Sequence, residues 1–486
     1  MHLVSCTSAS SGALRLLLCF LPACAGTADG KDTGETDSVD STTSGSDDDA
    51  TGGGSGPGSA TSTAASSWGP ATGDDDTDTS GSSGDESGST STGEESECPH
   101  PLYPSLDLCA LPGDGGGFCG AYESPILPTT TRTVTIQSAG SQAADDLLDA
   151  CSTPGTAVDV PNSAGHIPVI TLGGVDDCDV SLGDAVTTDT LVIGGLAGPV
   201  LAPSHRLRIR GGKIATVAIN EETTDVTFDG TVIDNGFRPT AERVNKGIVL
   251  YSGDGPDSVV NRFAIVNSII RAVEGPVDPD GSTHGFAYIG SRARNVLFAN
   301  NNIVTAGNHD SWGFRIGGGC NALIVDNTVR VSFHKFIRFN DADTDYAYVR
   351  GGIWMREATV SPEGINLSDT FTELQGDHST DHIYIHDPEI YMLATGPLSF
   401  GAAPNAGNAG HSWEVRSIEW HATSPTIVND EVLGQFAQYC VAGADCDYGI
   451  GSHTYTYDPE LALPEDPWRQ LPTVSPSNPD ELPITP

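Results

Sequence analysis

Between about residue 130 and residue 430 the chain reads as short apolar-polar alternations broken by Gly, Asn and Asp, with no helical period sustained over a dozen residues. Residues 143–150 are the exception, and their spacing predicts one short helix. Two strand patterns recur. The first is a glycine followed by alternating apolar positions: Gly247-Ile248-Val249-Leu250, Gly285-Phe286-Ala287-Tyr288 and Gly313-Phe314-Arg315-Ile316, with Phe336-Ile337-Arg338-Phe339 and Gly352-Ile353-Trp354-Met355 as looser copies. The second passes through a polar pair before its next apolar residue, as in Val266-Asn267-Ser268-Ile269, Ala299-Asn300-Asn301-Asn302-Ile303 and Val325-Asp326-Asn327-Thr328-Val329. The two patterns take turns along the chain, at a period of roughly 22 to 38 residues.

A unit of two or three short strands, apolar at every second position, cannot bury its inner face alone and must stack on the next copy. Stacked copies form a coil, in which Asn267, Asn301 and Asn327 are expected to share one inward column, each amide bonding the backbone of a neighbouring turn. Ile248, Leu250, Phe286, Phe314, Ile316, Val329 and Phe339 are expected inside it. With these repeats the chain resembles the right-handed parallel β-helix proteins of the pectate-lyase-like superfamily. The resemblance implies an all-β solenoid over residues 130–435, a fold that serves lyases, hydrolases, adhesins and scaffolds alike. A β-sandwich is the competing all-β reading, but it does not account for two strand patterns in fixed order.

The flanks read differently. Arg15 precedes an apolar run that ends in Leu21-Pro22-Ala23-Cys24, a secretory signal too short to span a bilayer. That ending resembles the lipobox of bacterial lipoproteins. The resemblance implies loss of residues 1–23, lipidation of Cys24, and attachment to the outer membrane or cell surface of a Gram-negative bacterium; an ordinary cleaved signal with a chance Cys is the other reading. Residues 25–97 hold 17 acids and only Lys31, almost all the rest being Ser, Thr, Gly and Ala. Such a segment buries too little apolar surface to offset its ordering entropy, so residues 24–97 read as a disordered acidic linker. A Cys-containing stub or cap follows at 98–129, and 436–486 reads as a small disulfide loop and a Pro-rich tail. Eight Cys remain after Cys24, an even number that in an exported chain favours disulfides. A metal held by Cys440, Cys446 and His453 is the alternative at the C-terminal end.

Charge narrows the chemistry. The whole chain carries −43, which excludes a basic nucleic-acid binder. Yet residues 284–356 contain eight Lys or Arg against five acids. In the strand frame, Arg315 and Arg338 point outward on adjacent coils about 5 Å apart. Trp354 is read as outward on the next, and the turns nearby carry His284, His309, His334 and Lys335. A basic strip on an acidic body focuses the field for an anionic ligand, paired Arg can clamp carboxylates, and Trp354 with His284 can bind a sugar. For a uronate-containing polysaccharide the matching reaction is β-elimination, which needs a base (Lys335, His309 or His334) and cations on the carboxylate (Arg315 and Arg338). No pair of acids occupies matching positions on this face, so hydrolysis is the weaker expectation. Asp341, Asp343 and Asp345 alternate and can converge on calcium, or they form an acidic surface loop. The functional expectation is a monomeric, lipid-anchored protein that acts on or binds an anionic polysaccharide. If it is an enzyme, it is a polysaccharide lyase; the rival is a non-catalytic adhesin or β-helix scaffold.

Overall fold

A computed structural model describes residues 98–113, 115–194, 196–197, 200–220, 222–238, 248–250, 259–273, 287–289, 293–306, 313–316, 318–331, 336–339, 344–356, 370–374, 380–393, 399–401, 413–423, 454–457 and 460–464. Among them the fold is mostly β, with one α-helix (Ser141–Cys151) and a large parallel sheet system in which each strand from Thr224–Asp229 to Glu389–Met392 pairs with the described strand three further along. That pairing makes an all-β solenoid of three parallel sheets. The first includes Thr224–Asp229, Asn261–Val266, Arg294–Ala299, Gly319–Val325, Thr344–Arg350 and Thr380–His386. The second includes Ile269–Val273, Asn302–Ala306, Thr328–Val331, Ile353–Arg356, Glu389–Met392 and Glu419–Ala422. Ile248–Leu250, Ala287–Ile289, Phe314–Ile316, Ile337–Phe339 and Thr370–Leu374 form the third. The helix packs on the earliest coils with Ala143, Leu147, Ala150 and Cys151 buried, as the 143–150 spacing predicts.

The interior follows from period-2 patterning. Ile209, Phe228, Ile265, Phe298, Ile324, Val349 and Ile385 stand in one inward column. Ile248, Phe314, Ile316, Val329 and Phe339 are buried as expected, while the side chains of Leu250 and Phe286 lie outside the described residues. Trp354 is a correction. It belongs to the second sheet, is 0% exposed, and packs edge-on against Phe336 (5.7 Å) and Phe371 (5.1 Å). Its glycine-led string mimics the third-sheet pattern, but Gly351 and Gly352 form the corner before the second sheet, so alternation turns the indole inward. On the preceding coil Tyr288 is in register with Arg315, and Ala287 with Phe314.

Two corner columns shape every coil. After the first sheet, Gly230, Asn267, Asn300, Asp326, Gly351, Asp387 and Ser417 share a left-handed φ of 50–65°. Asn, Asp and Gly tolerate that region at least cost, which explains the polar pair seen in the sequence. The inward ladder lies one residue later: Thr231, Ser268, Asn301 and Asn327. Asn327 Oδ1 accepts from the Asn301 backbone N–H (2.9 Å), and Asn301 Oδ1 accepts from the Ser268 N–H (2.9 Å). Asn301 and Asn327 therefore stack as expected. Asn267 does not; it is exposed in the left-handed column, and Ser268 takes the inward place.

The second left-handed column opens each first-sheet strand: Asp177, Arg206, Asp225, Arg262, Asn295, Asn321, Tyr346 and His382. Segment 115–131 runs along it. Backbone N–H groups of Thr129, Ile126 and Glu123 donate to Asp177, Asp225 and Asn295, at 3.4, 2.9 and 3.1 Å. Three extended residues span about 10 Å and two coils about 9.6 Å, so every third N–H meets every second coil. On the skipped coils Arg206 clamps Asp177 through two bonds (2.7 and 2.9 Å). Arg262 clamps Asp225 through Nε (2.6 Å) and Nη2 (2.8 Å). Residues 98–122 then cap the outside of the first sheet. Leu106, Leu111 and Tyr122 join Ala264, Val266, Leu297, Ala299, Leu323 and Val325 in a second apolar cluster. Cys119–Cys320 bolts the cap down, Cys98–Cys109 closes it internally, and Cys151–Cys178 ties the helix to the first sheet.

The last described strand extends the solenoid beyond the expected boundary at 435, since Thr454–Tyr457 pairs in parallel with Glu419–Ala422. Residues 1–97, Cys440, Cys446 and His453 lie outside the described residues.

Candidate functional site

In the third sheet the backbones of Tyr288, Arg315, Arg338 and Glu373 share one register position across four coils. Arg315 is flanked by Phe314 and Ile316, and Arg338 by Ile337 and Phe339, all four buried in the inward rows. Alternation therefore turns both guanidinium stems away from the interior. Adjacent strands bring them within about 5 Å of one another at the backbone. Arg315 is half-buried and Arg338 is 8% exposed, so the second cation is largely withdrawn from water, where a carboxylate ligand is held more strongly.

Neighbouring outward positions on the second sheet are also cationic and buried. Arg271 forms a two-bond ion pair with Asp234 (2.9 and 2.6 Å), and Arg330 is 5% exposed. Arg356 differs, because it lies in the inward row between Val331 and Met392, fully buried, and that burial lowers its guanidinium pKa to about 10. It is a charge of the interior, not of the outer face.

Of the other residues named from the sequence, His284, His309, His334, Lys335, Asp341, Asp343 and Cys24 lie outside the described residues. The side chain of Trp354 is sealed inside the coil and cannot stack on a sugar. Asp345 is 8% exposed and occupied structurally: its carboxylate accepts from the Phe118 backbone N–H of the cap and lies 2.7 Å from His382 Nδ1. It fastens the cap.

Sequence reasoning passed over two clusters. On the first sheet, past the end of the cap, His386 Nε2 sits 2.9 Å from Glu414, which also pairs with Arg416, beneath the rings of Tyr348 and Tyr384. Burial lowers the His386 pKa even though Glu414 opposes the shift. On the second sheet, Glu389 and Glu419 are register neighbours, with Tyr391 and His421 two residues further along the same face. The signal was available as the spaced strings Glu389-Ile390-Tyr391-Met392 and Glu419-Trp420-His421-Ala422. These acids do occupy matching positions, on a different sheet from the one where a pair was sought.

No family model matches the chain, and neither the curated proteins nor the solved structures contain a match to it.

Proposed function

We propose that the chain is an exported, lipid-anchored, right-handed β-helix of pectate-lyase-like type that binds an anionic polysaccharide across its third sheet and cleaves it by β-elimination. The observation that carries the reading is the register pairing of Arg315 with Arg338 on a face flanked by further buried guanidinium groups. Two forked cations at one-coil spacing neutralise a uronate carboxylate, which lowers the barrier to removing the proton beside it. In this reading Lys335, His309 or His334 supplies the base, and the acidic linker holds the domain clear of the membrane.

The test is a panel of pectate, alginate and glycosaminoglycan offered to the mature chain, read by affinity and by absorbance of unsaturated uronate ends. Arg338→Ala should weaken binding by about 10- to 100-fold, the worth of one charge-assisted contact of roughly 1.5–3 kcal/mol, and should abolish product. Binding without product in the parent protein would favour the adhesin reading. No binding to any acidic glycan would overturn both.

A further inference from the structure

We infer that Glu389, Glu419 and His421 form a binding site for a borderline divalent cation of the zinc type, independent of the third-sheet arginines. The three donors reach one point from two adjacent coils: Glu389 and Glu419 are register neighbours, and His421 follows Glu419 by two residues, so all three side chains leave the same face of the second sheet. His421 Nε2 lies 3.2 Å from Glu419 Oε1 and 3.5 Å from Glu389 Oε1, and all three donor atoms fall within 4.8 Å of one another. Ligands held about 2.0–2.1 Å from a tetrahedral zinc sit roughly 3.3–3.4 Å from each other, between the two observed separations. Calcium, which takes six to eight oxygens at about 2.3–2.6 Å, fits a compact nitrogen-containing trio poorly.

A second observation concerns the imidazole itself. Its Nε2 is buried and completes no hydrogen bond, although it faces two carboxylate oxygens. The ring is not free to turn away, because it stacks on Tyr391 at 4.4 Å and 11°. Tyr391 also donates its hydroxyl to Glu389 Oε1, so one side chain orients two of the three donors, as outer-shell partners of metal ligands do. Two carboxylates and the imidazole Nε2 converge on one point, an arrangement that a cation between them satisfies. The carboxylates remain 36% and 53% exposed, which leaves the ion an entry path and open coordination positions toward solvent.

The competing occupant is a proton on His421, giving an ordinary ion-pair triad with no metal. Chelator-stripped mature protein titrated with Zn²⁺ separates the two by calorimetry and by metal content after gel filtration. One ion per chain is expected, with binding lost in His421→Ala and retained in His205→Ala. Tyr391→Phe keeps the ring stack but removes the hydroxyl, and should weaken the ion by about 10-fold or more. Co²⁺ in place of Zn²⁺ should give visible absorption of a four- or five-coordinate ion in the parent and none in His421→Ala. Circular dichroism checks that the variants fold; if His421→Ala does not, Glu419→Gln takes its place, with the same loss expected. Absence of stoichiometric Zn²⁺ in the folded parent, or equal uptake by folded His421→Ala or Glu419→Gln, overturns the site. The polysaccharide assay is unaffected by either result.

Discussion

On the first sheet the outward residues Ala264, Val266, Leu297, Ala299, Leu323 and Val325 are as fully buried as the coil interior, whereas on the third sheet the outward positions of the corresponding coils include Arg315 and Arg338. The two faces share a backbone and differ in what lies over them. The first is covered by the cap at 98–122 and flanked by the irregular segment at 123–130, so its strands lose the in-out alternation and become continuous apolar runs. The arginine-bearing strands keep the alternation. An outward position in a solenoid is thus assigned by its cover, and the cover here comes from about 200 residues upstream, as the Cys119–Cys320 separation of 201 shows.

The largest expected effect comes from cutting that cover loose. Replacing Cys119 and Cys320 together by Ser should lower stability by about 3–5 kcal/mol in urea unfolding, because the closed loop is long. The same change at Cys98 and Cys109, whose separation is only 11, should cost less, and equal losses would mean that the cap is not held by the long crosslink. Next, Leu297→Ala should cost about 3 kcal/mol, the penalty of an interior leucine, although its side chain leaves the outer face. A loss near zero would show the cap lifting away in solution.

A smaller effect is expected from Asp225→Asn, about 2 kcal/mol at neutral pH, reduced from the full cost of breaking a buried pair because Arg262 is partly exposed. Burial alone would raise the Asp225 pKa, but the Arg262 and Ile126 hydrogen bonds outweigh it and hold it below the usual range, and Arg206 does the same to Asp177. Groups with depressed folded pKa values contribute stability above the unfolded value, about 3.9 for Asp, and lose it as pH falls through the folded one. Acid below about pH 4 should therefore release segment 123–130 first, and hydrogen exchange at the Ile126 amide measures it. Exchange of Ile126 that is indifferent to pH over that window, after correction for intrinsic rates, would break the link between the carboxylate column and the cover.

Much of this was legible beforehand. Phe314, Ile316, Val329 and Phe339 fall inside because alternation is a local property, and Arg315 beside Arg338 follows from the same frame. Asn267 was misplaced by one step because the polar pair at its corner contains one left-handed residue and one inward residue, and composition alone does not say which is which; Trp354 was misplaced because its glycine-led string belongs to the second sheet, where the corner Gly351-Gly352 sets the opposite phase. The trio Glu389, Glu419 and His421 escaped notice because Glu389 meets Glu419 and His421 only through the register of two strands distant in sequence.

The sequence by itself determined the strand periodicity, the polar corners and the need to stack, since each depends on residues within one turn of the coil. Tertiary structure alone decided which face is covered, which of Asp177, Arg206, Asp225 and Arg262 pair, and that Asp345 fastens the cap. Those outcomes depend on a match between the rise of an extended chain and the spacing of coils, a geometric coincidence between distant segments that no local pattern encodes.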